Sequence, residues 1–171
     1  MKLEPLTLYK LMVLYLLKQV KFPMTNSQIS DFFLSNEYTT YYSLQQAFND
    51  MVDAHLVTVE EIHHNSRYEI TREGDDTLDY FGKYIPQEIV NDMDDYLKEH
   101  RVHLKEEAGV TADYSRVGRD YNVRCEVREG KEVIFGVDVV VPTEEQAELV
   151  CRNWREKNQS IYTFAMKELL Q

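Results

Sequence analysis

The chain has few cysteines and no long apolar run. Only Cys125 and Cys151 are present among 171 residues, too few for a disulfide framework. No apolar stretch reaches the roughly eighteen residues of a membrane span, and lysines interrupt the apolar amino-terminal segment where a secretory signal would need a continuous core. We therefore expect a cytoplasmic protein without membrane contact. Both cysteines are expected as thiols, and a Cys125–Cys151 disulfide is the less favoured alternative.

The sequence also lacks recognisable catalytic and cofactor motifs. Its six glycines are scattered and form neither a phosphate-binding G-x-x-x-x-G-K-S/T loop nor a G-x-G-x-x-G fingerprint. A G-x-S-x-G nucleophile elbow is also missing. His100 and His103 lie one helical turn apart without enough further ligands for a metal, and His63 and His64 point to opposite faces of a predicted strand. We expect neither an enzyme nor a bound cofactor or metal.

Basic residues are scarce. Nineteen lysines and arginines stand against thirty acids, which gives a net charge of −11. Residues 1–70 hold five bases and eight acids, or −3, and residues 71–171 hold fourteen bases and twenty-two acids, or −8. Nucleic-acid binding normally depends on lysine and arginine. Any DNA-binding surface is therefore expected in the less acidic amino-terminal part.

The amino-terminal residues show a pattern of three helices and a hairpin. Apolar residues at three-four spacing predict a helix from Pro5 to Val20, which Phe22-Pro23 ends. Thr25 and Gln28 form a capping-box pattern for a second helix that ends near Asn36. Thr39 or Thr40 can cap a third helix over about residues 40–55. The predicted hairpin has a strand over 57–62, a turn at 64–66 and a return strand over 67–70.

The third helix has an apolar side and a polar side. Its expected inward positions are Tyr41, Leu44, Phe48, Met51, Val52, His55 and Leu56. Its opposite side carries Thr39, Tyr42, Ser43, Gln46, Asp50 and Asp53. The helix contains no lysine or arginine, so both a DNA-reading face and an ordinary solvated surface are compatible with this pattern.

Two segments resemble bacterial winged-helix repressors of the PadR-like kind. Residues 43–57 are similar to the third helix and wing entry of those proteins, which have leucines where Phe48 and Met51 stand and usually glycine where His55 stands. The phrase Y-E-I-T-R-E-G over residues 68–74 resembles their wing-closing Y-x-L-T-x-x-G. Over its whole length the chain resembles an uncharacterised family of predicted winged-helix regulators from Gram-positive bacteria.

The resemblance implies a transcriptional regulator that binds double-stranded DNA. In such docking, amino-terminal residues of the third helix meet base edges in the major groove, and the wing touches the backbone or minor groove. The expected DNA-binding residues are Thr39, Thr40, Tyr42, Ser43, Gln46, His64 and Arg67. A winged-helix module that binds protein and not DNA is the alternative. Bases gathered around the third helix, from Lys10, Lys18, Lys21 and Arg67, would favour DNA.

The middle of the chain predicts two further helices. Acidic residues favour the start of one over Thr71–Tyr84, with Leu78 and Phe81 inward. Pro86 opens a longer helix that runs to about Glu107. Its apolar line is formed by Ile89, Met93, Tyr96, Leu97 and Leu104. This line is expected to pack against a second copy of the chain, and the alternative is that it covers the chain's own sheet.

From Thr111 the apolar period changes to two, which predicts an antiparallel meander. Gly118-Arg119 is the first expected turn. A three-residue turn at 129–131 would pair Val127 with Val133, Cys125 with Phe135 and Val123 with Val137, with Cys125 on the buried face. Thr143 and Gln146 then cap a helix with Ala147, Val150, Cys151 and Trp154 inward, and residues 158–160 are expected to interrupt it.

The predicted fold class is α+β: an N-terminal winged helix-turn-helix, then a long helix and a three-stranded antiparallel sheet covered by C-terminal helices. The expected domains are a winged-helix domain over 1–84, a linking and dimerisation helix over 85–109, and an α+β domain over 110–171. The expected partners are double-stranded DNA and a second copy of the chain. An unidentified small-molecule effector bound to the carboxy-terminal part is a further hypothesis.

Overall fold

The computed structural model describes residues 2–62, 65–130 and 132–171. Within these residues the chain is a mixed α+β protein with six α-helices and two three-stranded antiparallel sheets. The helices are α1 (Pro5–Val20), α2 (Asn26–Ser35), α3 (Tyr41–Asp53), α4 (Arg72–Phe81), α5 (Gln87–Gly109) and α6 (Glu144–Leu169). The strands are β1 (Met24–Thr25), β2 (Val57–Ile62), β3 (Asn65–Ile70), β4 (Val110–Val117), β5 (Asp120–Glu129) and β6 (Glu132–Val141). A 3-10 turn over Gly82–Tyr84 follows α4.

The chain divides into two compact units between Lys105 and Glu106. The three-part division predicted at residues 84 and 109 stays a prediction. None of the described helices combines the length and apolar character that crossing a bilayer requires. Cys125 and Cys151 are free thiols in the buried interior of the second unit.

The helices of the first unit begin where the sequence predicts. Pro5 occupies the first turn of α1, where its missing N–H costs no hydrogen bond. Thr25 accepts from the N–H of Gln28 at 3.1 Å, and the Gln28 side chain accepts from the N–H of Thr25 at 2.9 Å. This complete capping box starts α2. Thr40, rather than Thr39, caps α3.

The first unit contains a small sheet with the strand order β1-β3-β2. Tyr68 on the central strand is buried, and its ring stacks on Phe48 of α3 with 4.4 Å between ring centroids. Asn65 and Ser66, expected in a turn, belong to β3, because the ladder between β2 and β3 extends to the Ile62–Asn65 pair. The prediction of the turn was wrong at these two residues, and His64 lies outside the described residues.

The apolar line of α5 is buried within its own chain. Met93, Leu97 and Leu104 are at most 7% exposed and belong to the same core as α1, α2 and α3. These three residues therefore pack within their own chain and not against a second copy. The alternative that the line covers the chain's own sheet stays a prediction.

The second unit contains the predicted meander, in the order β4-β5-β6. Gly118 has a φ of 63° and takes part in the tight turn closed by the Val117–Asp120 pair. Cys125 is buried, but the predicted register of β5 and β6 was wrong by two residues, since Cys125 pairs with Val137 and Val127 with Phe135. The Glu129–Glu132 pair closes the hairpin, and a register shift next to Val127 makes Ile134 the extra residue of a bulge.

A single helix covers this sheet. Helix α6 runs without interruption from Glu144 to Leu169, so the expected break at residues 158–160 and the expected plural C-terminal helices are wrong. Asn158 donates its side-chain amide to the carbonyl of Trp154 at 3.0 Å, and the Ser160 hydroxyl donates to that of Lys157 at 2.9 Å. Because these polar side chains bond to carbonyls of their own helix, they do not stop it.

Candidate nucleic-acid interface

The amino terminus of α3 is fixed by two hydroxyl side chains. The Thr40 hydroxyl oxygen accepts from the N–H of Ser43 at 3.2 Å, and the two hydroxyls lie 3.1 Å apart. Thr39 is half-buried in the preceding turn. The first turn of the helix exposes backbone N–H groups and the positive end of the helix dipole, and both favour a negatively charged group.

Two predicted site residues project from the first half of α3. Tyr42 is 80% exposed, and Gln46, one turn further on, is exposed as well. They lie on the side opposite the buried Leu44, Phe48 and Met51. The exposed pair offers a phenol and a carboxamide, both of which can donate and accept hydrogen bonds. A carboxamide in a major groove can make a bidentate pair with adenine.

A polar groove lies beside these side chains. Its volume is about 450 Å³. It is lined by Asn26, Ser27, Ser30, Asp31, Leu34, Tyr41, Gln45 and Ser66. The amides of Asn26 and Gln45 exchange hydrogen bonds of 2.7 and 3.1 Å, and the Ser30 hydroxyl donates to Asn26 Oδ1 at 2.9 Å. This network joins α2 to α3 and therefore sets the position of the exposed Tyr42 and Gln46.

The hairpin contributes Arg67 on the central strand of the small sheet. Arg67 is half-buried and stands between Thr25 on β1 and Glu60 on β2. It is on the face of β3 opposite to Tyr68, which enters the core. His64, the other predicted wing contact, lies outside the described residues.

The lysines are not gathered at the amino terminus of α3. Lys10 forms an ion pair of 2.9 Å with Asp50, in the second half of that helix. Lys18 pairs with Asp75 at 2.7 Å and Asp79 at 2.6 Å, and these carboxylates raise its pKa. Two of the four basic residues that were expected to favour DNA binding, Lys10 and Lys18, are thus neutralised by carboxylates of the protein itself.

Helix α3 departs from expectation at both ends. Tyr41, expected inward, is 58% exposed and lines the polar groove, because the first helical residue lies beyond the end of the core. His55, expected on the apolar side, follows the end of the helix with a φ of 58°. The exposure of Tyr41 and Tyr42 has a signal in the sequence. Tyrosine and threonine are concentrated over residues 38–42, where they interrupt the apolar spacing.

His100 of α5 packs on its own helix. Among the residues that the structure describes, no group of three or more histidine, cysteine, aspartate or glutamate side chains could hold a metal ion. His100 instead places Nδ1 2.8 Å from the carbonyl oxygen of Tyr96 and stacks on that tyrosine ring. His63 and His64 are outside the described part of the chain.

The chain belongs to a family whose activity is open. Residues 9–169 match the family described as Domain of unknown function (DUF4364), which therefore covers nearly the whole chain. Searches among curated proteins and among solved structures found no match.

Proposed function

We propose that this member of the DUF4364 family is a cytoplasmic, homodimeric DNA-binding transcriptional regulator with an amino-terminal winged helix. The order α1-β1-α2-α3-β2-β3 and the sheet order β1-β3-β2 support this proposal. In the proposed arrangement α3 is the recognition helix, and β2 and β3 form the wing. Dimers of this class read two half-sites related by two-fold symmetry.

The observation that carries the proposal is the exposed polar row on α3. Tyr42 and Gln46 lie on the solvent side of a helix whose other side is fixed by Leu44, Phe48 and Met51 in the core. A rigid helix that presents hydrogen-bonding side chains near its amino terminus is what reading of base edges in the major groove requires. Gln46 would read adenine, and Tyr42 would contact a base or a phosphate.

The proposed DNA contacts depend on directed donors more than on an excess of cations. Backbone N–H groups at the start of α3 and the Arg67 guanidinium would bind phosphate oxygens. Because few bases surround this surface, affinity for random DNA is expected to be modest, and base contacts must supply a large part of the selectivity.

Binding of short duplexes tests the assignment of the interface. A pool of random duplex DNA is selected with the wild-type protein at low salt, and affinities for the selected site are measured by fluorescence anisotropy. Tyr42→Ala and Gln46→Ala are expected to weaken binding at least about fivefold, at about 1–3 kcal/mol for each lost base contact. Tyr80→Ala is the matched control, since Tyr80 is 71% exposed on α4. Equal affinities for all four proteins would contradict the proposal.

A protein-binding module is the second candidate function. The ion pairs of Lys10 with Asp50 and of Lys18 with Asp75 and Asp79 favour it, because they leave the surroundings of α3 poor in uncompensated positive charge. In this alternative the exposed aromatic edge formed by Tyr41 and Tyr42 would anchor a protein partner. Failure of every duplex to bind at low salt, together with a partner whose binding requires Tyr42, would favour this candidate.

A further inference from the structure

Helix α6 contacts all three strands of its sheet. Near its start, Glu144 and Glu148 place carboxylate oxygens 3.0 and 3.2 Å from the hydroxyl of Tyr114 on β4. In its middle, Trp154 Nε1 donates to the carbonyl of Glu126 on β5 at 3.3 Å. Further on, Tyr162 meets the ring of Phe135 on β6 edge-on, with 5.4 Å between centroids. The helix thus contacts β4, β5 and β6, and the residues that follow Tyr162 up to Leu169 form its extension.

The apolar line of α6 continues into this extension. Ala147, Cys151 and Trp154 are at most 3% exposed. Ile161, Ala165 and Leu169 follow Trp154 at helical spacing on the same side, yet Ile161 is 39% and Leu169 is 76% exposed. The neighbouring Phe164 and Leu170 are 67% and 77% exposed. The seven residues beyond Tyr162 span about 10 Å, or about two strand spacings.

Strand β6 is an unusually apolar edge. In the described part of the chain, β6 pairs with β5 alone. Its helix-facing side chains are only half-buried: Phe135, Val137, Val139 and Val141. Edge strands normally carry charges or proline that discourage pairing with another chain, whereas the ten residues of β6 contain only Glu132 and Asp138 as charged residues. Asp138 is already compensated by Arg124, with 2.5 Å between Oδ2 and Nη1.

We propose that β6 and the last turns of α6 bind a second copy of this chain. Two β6 strands would pair in antiparallel fashion to form one six-stranded sheet. The extension of each α6 would then cover the half-buried row on the other copy's β6. A second copy fits this surface because an edge strand is complementary to itself about a two-fold axis. The inference rests on the proposed function only for the expectation that the protein acts as a pair.

The charges favour a two-fold axis at Val137. An axis at Asp138 would place two carboxylates directly opposite each other, which is unfavourable. An axis at Val137 instead places Asp138 of each copy opposite Gly136 of the other. Arg124 Nη2 lies 3.0 Å from the point where a Cβ of Gly136 would stand. Because Gly136 has no side chain, the Arg124 guanidinium lies close to the edge of β6. In the proposed dimer it would face the Asp138 carboxylate of the second copy.

A stable dimer requires surface from strand and helix together. Ile161, Phe164, Leu169 and Leu170 are 39%, 67%, 76% and 77% exposed, and a standard interface buries about 800 Å² per partner. The β6 edge and its half-buried apolar row would supply the remainder.

The mass of the full chain in solution tests this interface without DNA. Sedimentation equilibrium is expected to give twice the 20.3 kDa of one chain. Phe164→Asp should raise the dimer dissociation constant at least tenfold. Val102→Asp is the matched control, since Val102 is 73% exposed on α5, and it should leave the mass unchanged. A monomeric wild type, or a dimer that Phe164→Asp leaves intact, would overturn the proposal.

Spin labels test the register. Val140 is 64% exposed, and a label on Val140→Cys would lie about 20 Å from its symmetry mate if the axis passes Val137, because six residues of strand separate them along the sheet. Distances well beyond 30 Å would exclude pairing of the two β6 strands. If the protein is a dimer with this label distance but binds no duplex, only the proposed function is refuted. If it binds DNA but does not show this label distance, only the proposed interface is refuted.

Discussion

Two tyrosines join α5 to α1 and to the turn between α2 and α3. The Tyr15 hydroxyl donates to Asp94 Oδ1 at 2.6 Å, and the Tyr38 hydroxyl donates to Asp92 Oδ2. Burial and these carboxylates raise the pKa of each tyrosine to about 12, since both disfavour the phenolate. The bonds lie near the surface, so each is worth about 1 kcal/mol.

Alkaline pH should therefore weaken the first unit. Since the folded pKa lies above the ordinary value, the stabilisation is complete below about pH 10 and is lost as the pH rises toward 12. A Tyr15→Phe, Tyr38→Phe double variant should lose about 2 kcal/mol at neutral pH and show a smaller further loss between pH 10 and 12. Urea denaturation at several pH values measures both effects. Parallel pH profiles for the two proteins would refute this linkage.

His55 stands at a position that favours glycine. Its φ of 58° is left-handed, and it ends α3 in a Schellman arrangement in which the N–H of Leu56 donates to Met51 O at 2.9 Å and that of His55 to Val52 O at 3.1 Å. Glycine suits this conformation better than histidine, because glycine adopts positive φ without steric cost.

Glycine at this position should stabilise the protein. His55→Gly is expected to raise the free energy of unfolding by about 0.5–1 kcal/mol, whereas His55→Ala retains the strain and should give no such gain. Thermal denaturation of the three proteins measures the difference. Destabilisation by glycine beyond that of alanine would show that the imidazole makes a stabilising contact that outweighs the backbone strain.

At the scale of elements, residues 71–74 join the segment that follows α3 to β3 and α4. The Thr71 hydroxyl accepts from the N–H of Gly74 at 3.0 Å and lies 2.6 and 2.9 Å from the carbonyl oxygens of His55 and Leu56. A Cβ on Gly74 would stand 2.1 Å from Leu56 O. Threonine and glycine at this spacing therefore serve the packing of α4 against the end of α3.

Substitution of the two glycines of this region separates close packing from helix propensity. Gly74→Ala must displace backbone and should cost about 3 kcal/mol. Gly82→Ala meets only the flexible Leu78 side chain, at 3.3 Å, and should change stability by less than about 1 kcal/mol. Urea denaturation distinguishes the two. A Gly74→Ala protein as stable as wild type would show that α4 can shift at little cost.

Local sequence signals predicted element boundaries better than long-range partners. The threonines at 25 and 143 started helices as expected, because a cap depends on neighbours three residues away. The register of β5 and β6 could not be read from alternation alone. The hairpin closed by the Glu129–Glu132 pair and the extra residue Ile134 each shift the ladder by one residue, and a total shift of two leaves the faces unchanged. The pattern of α3 predicted exposure of Tyr42 and Gln46, whereas the Lys10–Asp50 pair depends on tertiary packing.

At the scale of the whole molecule, the net charge of −11 opposes binding to DNA. Asp50→Asn removes one negative charge from α3 and releases Lys10 from its ion pair. We expect this variant to bind duplex DNA several-fold more tightly than wild type. Asp79→Asn, which leaves Lys18 paired with Asp75, is the control and should change affinity less. A weaker Asp50→Asn protein would mean that the carboxylate itself takes part in binding or positions α3.

A salt titration of wild-type binding to the selected duplex tests most directly whether this protein is a DNA-binding regulator. We expect a site with two-fold symmetry. We also expect an affinity that falls about a hundredfold between 50 and 200 mM salt if the dimer makes about four phosphate contacts. Absence of binding to any duplex at the lowest salt would contradict it and would assign the exposed face of α3 to a protein partner.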